Sequence, residues 1–175
     1  VAEKLGALYV DTGAMYRALA LKALEAGMSV DDEESTTRLA GGTTIDLVPG
    51  PDGTSRVQLD GRDVTELVRT VDVSDGASRI SVHRGVRERM VALQQALARG
   101  RSVVMEGRDI GTRVLPDAEV KIFLTASPEE RARRRCLELK ARGVQTEPET
   151  VLEQIRERDA RDSGRTVDPL RPASD

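Results

Sequence analysis

The chain has 175 residues, a net charge of -3, 33% charged residues and a single cysteine. This length is enough for one domain with a buried core, and one cysteine excludes an internal disulfide or a cysteine metal cluster. The slightly acidic charge provides no basic field for nucleic acid or for an anionic membrane, and no apolar run approaches the roughly 20 residues of a membrane span. We therefore expect a soluble, cytoplasmic protein with an aliphatic core.

The first ten residues predict the end of a helix and then a strand. Residues 1–5 are typical of the last turn of a helix, and Gly6 suits the left-handed residue that ends it. Because the chain begins inside this element, we expect a further segment upstream of Val1. Residues 7–10 then predict a short strand.

A candidate phosphate site follows at the start of the next helix. Asp11 or Thr12 can cap this helix, and Gly27 can close it. Thr12 and Tyr16 lie four residues apart on one face, with Arg17 beside them. The unpaired N–H groups and the dipole of a helix N-terminus favour an anion there. These residues predict a phosphate site, although a cap, a core side chain and a surface charge would produce the same pattern.

Residues 41–63 change to the pattern of an antiparallel hairpin, after a short predicted helix over 31–39. The apolar residues that alternate with polar ones are Ile45, Leu47, Val57 and Leu59. The turn between them is predicted at residues 49–53, which are rich in Pro and Gly. We interpret this segment as a small antiparallel insert in an α/β body.

Two helices are predicted after the insert. The first has an apolar face formed by Val73, Ala77 and Ile80, with Ser78 beside that face. The second, over residues 82–97, has apolar residues at intervals of three and four, and Arg87 lies next to this apolar stripe. His83 is the only histidine and has no cysteine nearby, so we expect a surface residue rather than a metal ligand.

Residues 103–112 are the stretch most suggestive of function. Residues 103–105 are apolar and predict a strand buried on both faces of a parallel sheet. Two glycines then bracket Arg108 and Asp109. Ligands of open α/β sheets bind just beyond the carboxyl ends of the strands. The pair is therefore predicted to lie at the rim of a crevice as an anion clamp beside a hydrogen-bond acceptor, although an ordinary turn with a solvated ion pair would look the same.

The last third predicts a strand and two helices. Residues 119–126 predict the strand, and Ser127 and Pro128 provide a cap and a first helical residue for the next helix. This helix extends to Gly143. Its arginine-rich side is formed by Arg131, Arg133, Arg134 and Arg135.

The final helix is predicted to begin at a second capping box, formed by Thr146 and Glu149. If it persists to residue 165, four charged residues share one of its faces. They are Arg158, Arg161, Asp162 and Arg165. Such a face forms either a solvent-exposed series of salt bridges or a binding surface for a polyanion. Residues 168–172 predict a loop.

Three motifs together resemble the bacterial cytidylate kinase family. They are DTGAMYR at 11–17, EGRDIGT at 106–112 and the Arg/Asp run at 158–165. They occur in the family's order and at its usual intervals, and the resemblance covers essentially the whole chain. It implies an α/β fold of P-loop type: an open parallel sheet with flanking helices and a small antiparallel insert in the substrate-binding part.

The resemblance also implies an organisation of the chain and a reaction. Residues 1–175 would form one incomplete kinase domain, with a CMP-binding region at 12–100, a β insert at about 41–65 and a lid at 131–168. The reaction would be transfer of the γ-phosphoryl group of ATP to CMP or dCMP, with Mg²⁺ accompanying ATP. Phosphoryl transfer requires positioning and charge neutralisation more than covalent protein chemistry.

Site residues are implied only where this sequence matches the family's motifs. The positions at the CMP phosphate are Thr12, Tyr16, Arg17, Arg108 and Arg165, and the three arginines among them are the catalytic candidates. The positions that read the cytosine edge are Ser78, Arg87 and Asp109, and those that hold the sugar hydroxyls are Arg158 and Asp162. The lid candidates for ATP are Arg131, Arg134 and Arg135. No residue is assigned to the metal.

The chain departs from the family in one respect, because nothing in it matches a P-loop, G-x-x-x-x-G-K-[ST], and no Gly-Lys pair occurs. The family's P-loop strand lies between the strands near Val104 and Ile122. We expect it upstream of Val1, and the family's last strand and helix beyond Asp175. Without the P-loop strand, both neighbours would expose a hydrogen-bonding edge, so we expect residues 1–175 alone to fold poorly and to be inactive.

Two other functions fit parts of the sequence. A kinase for another small phosphate acceptor, such as UMP, AMP or dephospho-coenzyme A, is the nearest enzymatic alternative. An RNA-binding module is the alternative from another class, but residues 131–175 contain many acids and no aromatic residue for base stacking. We therefore expect small-molecule nucleotides as the only partners, no nucleic acid or membrane partner, and a monomer.

Overall fold

The computed structural model describes residues 1–50 and 55–175. The central part of the predicted hairpin turn, residues 51–53, lies outside the described residues. The strands are β1 (Leu8–Asp11), β2 (Ile45–Pro49), β3 (Ser55–Leu59), β4 (Arg62–Asp63) and β5 (Val103–Glu106). The α-helices are α1 (Ala2–Leu5), α2 (Thr12–Glu25), α3 (Glu33–Gly41), α4 (Val71–Ile80), α5 (Arg84–Ala98), α6 (Pro128–Ala141) and α7 (Pro148–Gly164). The α/β class and the small antiparallel insert predicted from the sequence are confirmed.

Strands β1 and β5 form a parallel pair, which determines where the start of α2 and the loop after β5 meet. Leu8 lies opposite Val103, and Asp11 lies opposite Glu106. Both strands therefore end at the same edge of the sheet. The start of α2 and the loop after β5 are brought together at that edge, although 94 residues separate Thr12 from Glu106 in the sequence.

Helix α2 organises the core because it is apolar on most of its surface. Met15 and Leu19 are fully buried, and α2 packs against α4, α5 and the insert. Its start is stabilised by the Asp11 side chain, which accepts a hydrogen bond from the backbone N–H of Ala14 at 3.0 Å. This cap holds the first turn of α2 at the carboxyl end of β1.

The insert is a three-stranded antiparallel sheet in the order β2-β3-β4. Its alternating apolar residues, Ile45, Leu47, Val57 and Leu59, are all buried. They join the same apolar cluster as α2 and α4. Apolar and polar residues alternate along these strands because one face of the sheet packs on the α/β body and the other faces solvent, as the sequence predicts.

Helices α6 and α7 pack on each other around a second, smaller apolar cluster. Ala132, Leu139 and Val151 are its buried members. Ser127 caps α6 by accepting from the Glu130 N–H at 3.2 Å, as the sequence predicts. The guanidinium of Arg131 donates two hydrogen bonds to the Asp159 carboxylate, at 2.7 and 2.5 Å. This bidentate ion pair joins the two helices.

Three predictions about local structure are wrong. Residues 119–126 form no strand: Ile122 and Leu124 are more than 80% exposed, and no described strand pairs with the segment. An apolar run is not a strand without a neighbour to complete its hydrogen-bond ladder. Helix α7 has Glu147 as its N-cap with no side-chain cap bond, so the capping box at Thr146 does not form. His83 is buried, with its Nδ1 2.8 Å from the hydroxyl of Thr36.

Candidate functional site

The loop after β5 fits closely against the first turn of α2. The hydroxyl of Thr12 donates to the carbonyl oxygen of Glu106 at 2.7 Å. A Cβ atom at Gly107 would lie 2.3 Å from that hydroxyl, so no side chain fits there without displacing it. Thr12 is buried, and its hydroxyl proton is committed to Glu106. It therefore retains only its acceptor capacity for other partners in this arrangement.

Arg87 of α5 and Asp109 of the β5 loop form a buried ion pair at the same edge. The Arg87 guanidinium donates from Nη2 to an oxygen of Asp109 and from Nη1 to the backbone carbonyl of Ser81 at 3.3 Å. Only 2% of the Arg87 side chain and 8% of the Asp109 side chain are exposed. Asp109 therefore occupies the predicted position beyond a strand end, but it contacts another predicted site residue instead of solvent.

Helix α7 covers this edge with its charged face. Asp162 is buried and lies close to three arginines. Its carboxylate accepts from Nε of Arg108 at 3.0 Å and lies 3.8 Å from both Arg158 and Arg165. The helix persists to Gly164, so the face predicted by residue spacing forms and turns towards the β5 loop.

Tyr16 and Arg17 complete the arrangement from the first turns of α2. Arg17 donates to the Asp11 carboxylate at 2.7 Å. The hydroxyl of Tyr16 is buried and has no hydrogen-bond partner among the described residues. Burial, with a smaller contribution from Asp109, raises the pKa of Tyr16 to about 12, in spite of the opposing effect of Arg87. Tyr16 is therefore neutral at physiological pH.

Unsatisfied polar atoms concentrate in this cluster. Of the six buried side-chain nitrogen and oxygen atoms that lack a hydrogen-bond partner among the described residues, four belong to it. They are the Tyr16 hydroxyl, Nε of Arg17, Nε of Arg158 and Nη2 of Arg165. Buried polar groups are normally paired, so these atoms are suited to a polar ligand.

The electrostatics of the cluster favour an anion. Burial, followed by the nearby charge of Arg108, lowers the pKa of Arg158. Burial, followed by the charge of Arg87, lowers the pKa of Arg165. Both guanidiniums thus lack full compensation by the surrounding carboxylates. A bound phosphate would supply hydrogen-bond acceptors and negative charge at the same place.

Ser78 contacts the charged face of α7 through a residue that the sequence did not assign to the site. Its buried hydroxyl accepts from Nη1 of Arg161, on α7, at 2.7 Å. Arg161 lies on the predicted charged face of α7, and that spacing is the signal by which it could have been included. Asp168, in the loop after α7, contacts Arg87 and Arg113, and no sequence pattern marks it.

The three lid arginines do not join this cluster. Arg131 is bound to Asp159, Arg134 donates to Glu130 at 2.7 Å, and Arg135 donates to Glu138 at 2.8 Å. The Arg134–Glu130 and Arg135–Glu138 pairs are local to α6. In this structure only Arg131 links α6 to α7, whereas Arg134 and Arg135 pair within α6.

The parallel strands and the arginine cluster together are typical of one class of protein: an α/β protein whose carboxyl sheet edge is suited to a phosphorylated ligand. Helix α7 covers that edge. None of the helices in the described part of the chain is both long and apolar enough to cross a membrane.

Comparison with known proteins narrows this class to one family. The family model for cytidylate kinase matches residues 1–175. Proteins named cytidylate kinase are similar over the whole chain: 54% identity to that of Pelotomaculum thermopropionicum, 51% to that of Geobacillus thermodenitrificans and 50% to that of Bacillus subtilis strain 168. The chain covers 77%, 78% and 78% of these relatives, respectively. The chain belongs to the cytidylate kinase family, as its three motifs predict.

Proposed function

We propose that this protein transfers the γ-phosphoryl group of ATP to CMP or dCMP and so serves pyrimidine nucleotide metabolism. Membership of the cytidylate kinase family supports the reaction class. The observation that carries the assignment to a site is the cluster of unsatisfied buried donors on Tyr16, Arg17, Arg158 and Arg165. These groups converge on one edge of the sheet from α2 and α7, and their chemistry suits a nucleotide phosphate and its sugar.

In this proposal the arginines bind and neutralise the phosphates. An oxygen of the CMP phosphate attacks the γ-phosphorus of ATP, and the bond from that phosphorus to the leaving ADP oxygen breaks. Arg17 and Arg108 approach the acceptor phosphate from the β1 and β5 sides, and Arg165 approaches from the end of α7. Fixed guanidiniums stabilise the charge of the transferring group without any covalent intermediate.

Base and sugar are recognised by the remaining members of the cluster. Asp109 accepts from the exocyclic amine of cytosine, and Arg87 and Ser78 donate to its carbonyl side. Uracil has a carbonyl group where cytosine has the amine, so an ionised acceptor there favours CMP over UMP. Arg158 and Asp162 bind the sugar hydroxyls. The ion pairs that these residues form in this structure support the proposal, because they fix the side chains close to one another.

ATP is the phosphate donor, and Mg²⁺ accompanies it. Mg²⁺ is bound mainly by phosphates and water with one or two carboxylates. The described residues bring together no group of three or more acidic, histidine or cysteine side chains that could hold a metal ion, so phosphates and water would supply most of the ligands. When bound, the ion would neutralise phosphate charge. Residues 131–168 form a lid in this proposal, and any contact of Arg131, Arg134 or Arg135 with ATP requires exchange of their present carboxylate partners.

The proposed organisation is a CMP-binding region over residues 12–100, with the insert at about 41–65, and one kinase domain that acts as a cytoplasmic monomer. The separate packing of α6 and α7 around their own apolar cluster supports a lid that moves as a unit. Such closure excludes water that would otherwise hydrolyse ATP.

The experiment is an acceptor panel with the full-length protein. ADP formation is followed with Mg-ATP and CMP, dCMP, UMP, AMP or dephospho-coenzyme A as acceptor. We expect CMP and dCMP to have the highest kcat/KM. Arg108→Ala should abolish most of this turnover, whereas Arg38→Ala, which breaks an exposed pair with Glu34 on α3, should not. Faster turnover of another acceptor, or an active Arg108→Ala variant, would refute the proposal.

A further inference from the structure

Asp168, in the loop after α7, has an unusual backbone conformation. Its φ is 47°, in the left-handed region that non-glycine residues rarely adopt. It also precedes Pro169, and a residue before proline is normally driven to an extended conformation. Such a conformation persists only where the surrounding structure holds it, and it is common at functional sites. The contacts that hold Asp168 therefore indicate what role this conformation serves.

Those contacts are with three arginines. One carboxylate oxygen accepts from Nε and Nη2 of Arg87, both at 3.3 Å. The other oxygen lies 3.6 Å from Nε of Arg113, in the turn after β5. The backbone carbonyl of Asp168 accepts from Nε of Arg165 at 2.7 Å. The segment is further tied to α7 by the Leu170 N–H, which donates to the carbonyl of Asp162 at 2.9 Å.

Arg87 consequently has two carboxylate partners that come from different parts of the fold. Asp109 belongs to the loop after β5, whereas Asp168 belongs to the segment that leaves α7. Burial opposes the charged form of Arg87. The pKa of its guanidinium is nevertheless raised, because Tyr16, once ionised at the high pH where arginine titrates, and the Asp109 and Asp168 carboxylates favour the charged form by more. Asp168 is the one of these groups that departs if α7 and the following loop move away.

We propose that Asp168 is a positioning residue that makes recognition of the base depend on closure of α7. This inference rests on the proposed CMP kinase function. When the loop is seated, the Asp168 carboxylate holds the Arg87 guanidinium, and Arg87 in turn holds Asp109, the proposed acceptor for the cytosine amine. The carbonyl of Asp168 orients the Arg165 guanidinium for the phosphate. One residue thus assembles the base site and the phosphate clamp in the same movement. Selectivity for cytosine is then expressed mainly in the closed state, as in induced fit.

The test compares two matched substitutions. Asp168→Asn removes the charge but keeps the size and the tolerance for a left-handed conformation. Asp60→Asn is the control, because Asp60 also has a left-handed φ, 49°, and pairs with Lys22 at 2.6 Å, outside the cluster. Both are measured by kcat/KM for CMP and UMP, KM for ATP and thermal unfolding of the full-length protein.

We expect Asp168→Asn to reduce the ratio of kcat/KM for CMP over UMP by roughly five- to thirty-fold, the effect of one or two lost charged hydrogen bonds. KM for ATP should not change, and Asp60→Asn should leave the ratio intact. Asp168→Glu, which keeps the charge, should recover part of the ratio. A merely structural role for Asp168 would lower activity with both acceptors equally.

A second variant keeps the test decisive if Asp168→Asn is unstable. Asp168→Gly accepts the positive φ without strain while removing the carboxylate, and the same fall in the ratio is expected. An unchanged ratio in either folded variant overturns the inference. Higher CMP turnover would also overturn it, since Asp168 would then be an inhibitory occupant of the site. Either result is distinct from failure of the proposed function, in which the unsubstituted protein itself would not prefer CMP.

Discussion

Replacing Asp109 with alanine tests the buried pair at the centre of the candidate site. In the structure, Arg87 and Asp109 are both almost inaccessible to solvent. Removing one partner of a buried ion pair typically costs about 3–5 kcal/mol, because the other charge remains buried and uncompensated. Asp168 still lies 3.3 Å from Arg87 and provides part of the compensation. We therefore expect Asp109→Ala to lower the free energy of unfolding by about 3 kcal/mol, the lower end of that range.

The same substitution should change base preference, since Asp109 is the proposed acceptor for the cytosine amine. An unpaired polar group in the site costs roughly 1–3 kcal/mol, so the ratio of kcat/KM for CMP over UMP should fall by about ten- to a hundred-fold. Stability is measured by urea unfolding and the ratio by ADP formation with each acceptor in the full-length protein.

The control for Asp109→Ala is Asp31→Ala. Asp31 also pairs with an arginine, Arg79, but the two side chains are 59% and 40% exposed. Exposed pairs contribute little to stability, so this variant should match the unsubstituted protein in both measurements. If Asp109→Ala loses stability but keeps its preference for CMP, Asp109 only neutralises Arg87, and the assignment to base reading is wrong. If stability does not fall, the reasoning about the buried pair is wrong.

Two other predictions concern the phosphate clamp and the tyrosines. Arg165→Lys should reduce kcat more than it weakens CMP binding measured by calorimetry, since Arg165 comes from the end of α7. Arg17→Lys and Arg108→Lys should reduce kcat and weaken CMP binding alike. Equal losses for Arg165→Lys would show that Arg165 already contacts CMP in the ground state. Burial raises the pKa of both tyrosines, Tyr9 and Tyr16, the latter to about 12. The unfolded chain releases these protons near pH 10, so stability should fall as pH rises from about 10 to 12. The chain has no Trp, so ultraviolet titration detects the tyrosines directly, and ionisation of both at about pH 10 in the folded protein would contradict this reasoning.

Features confined to one element were predictable from the sequence. The left-handed Gly6 after α1 and the Ser127 cap of α6 form as predicted, and of the two candidate caps of α2, Asp11 and Thr12, the structure has Asp11. These features depend on residues only a few positions apart, whose geometry the local backbone determines. The charged face of α7 forms for the same reason, because residues three and four apart lie on one side of a helix.

The candidate site was predictable in its members but not in its pairings. Arg108 and Asp109 were predicted from their place after a strand, and the face that contains Asp162 was predicted from helical spacing. Resemblance to a family then gave each residue a separate ligand contact. In the structure Asp109 pairs with Arg87, and Arg108 pairs with Asp162. Sequence spacing contains no information about which carboxylate lies opposite which guanidinium when they come from different elements. That choice is made when α5, α7 and the β5 loop pack together.

Two of the three wrong predictions have the same origin. His83 was predicted to lie at the surface because it is the only histidine and has no cysteine nearby, yet the packing of α3 against α5 buries it beside Thr36. Residues 119–126 have the composition of a strand but pair with no described strand. The sequence by itself determined the helices, the caps of α2 and α6, the alternating insert and the arginine-bearing motifs, because local geometry suffices for these. The predicted capping box at Thr146 is the local exception. Only the tertiary structure decided burial, strand pairing and the three-arginine contacts of Asp168, because each depends on groups that the chain brings together from distant positions.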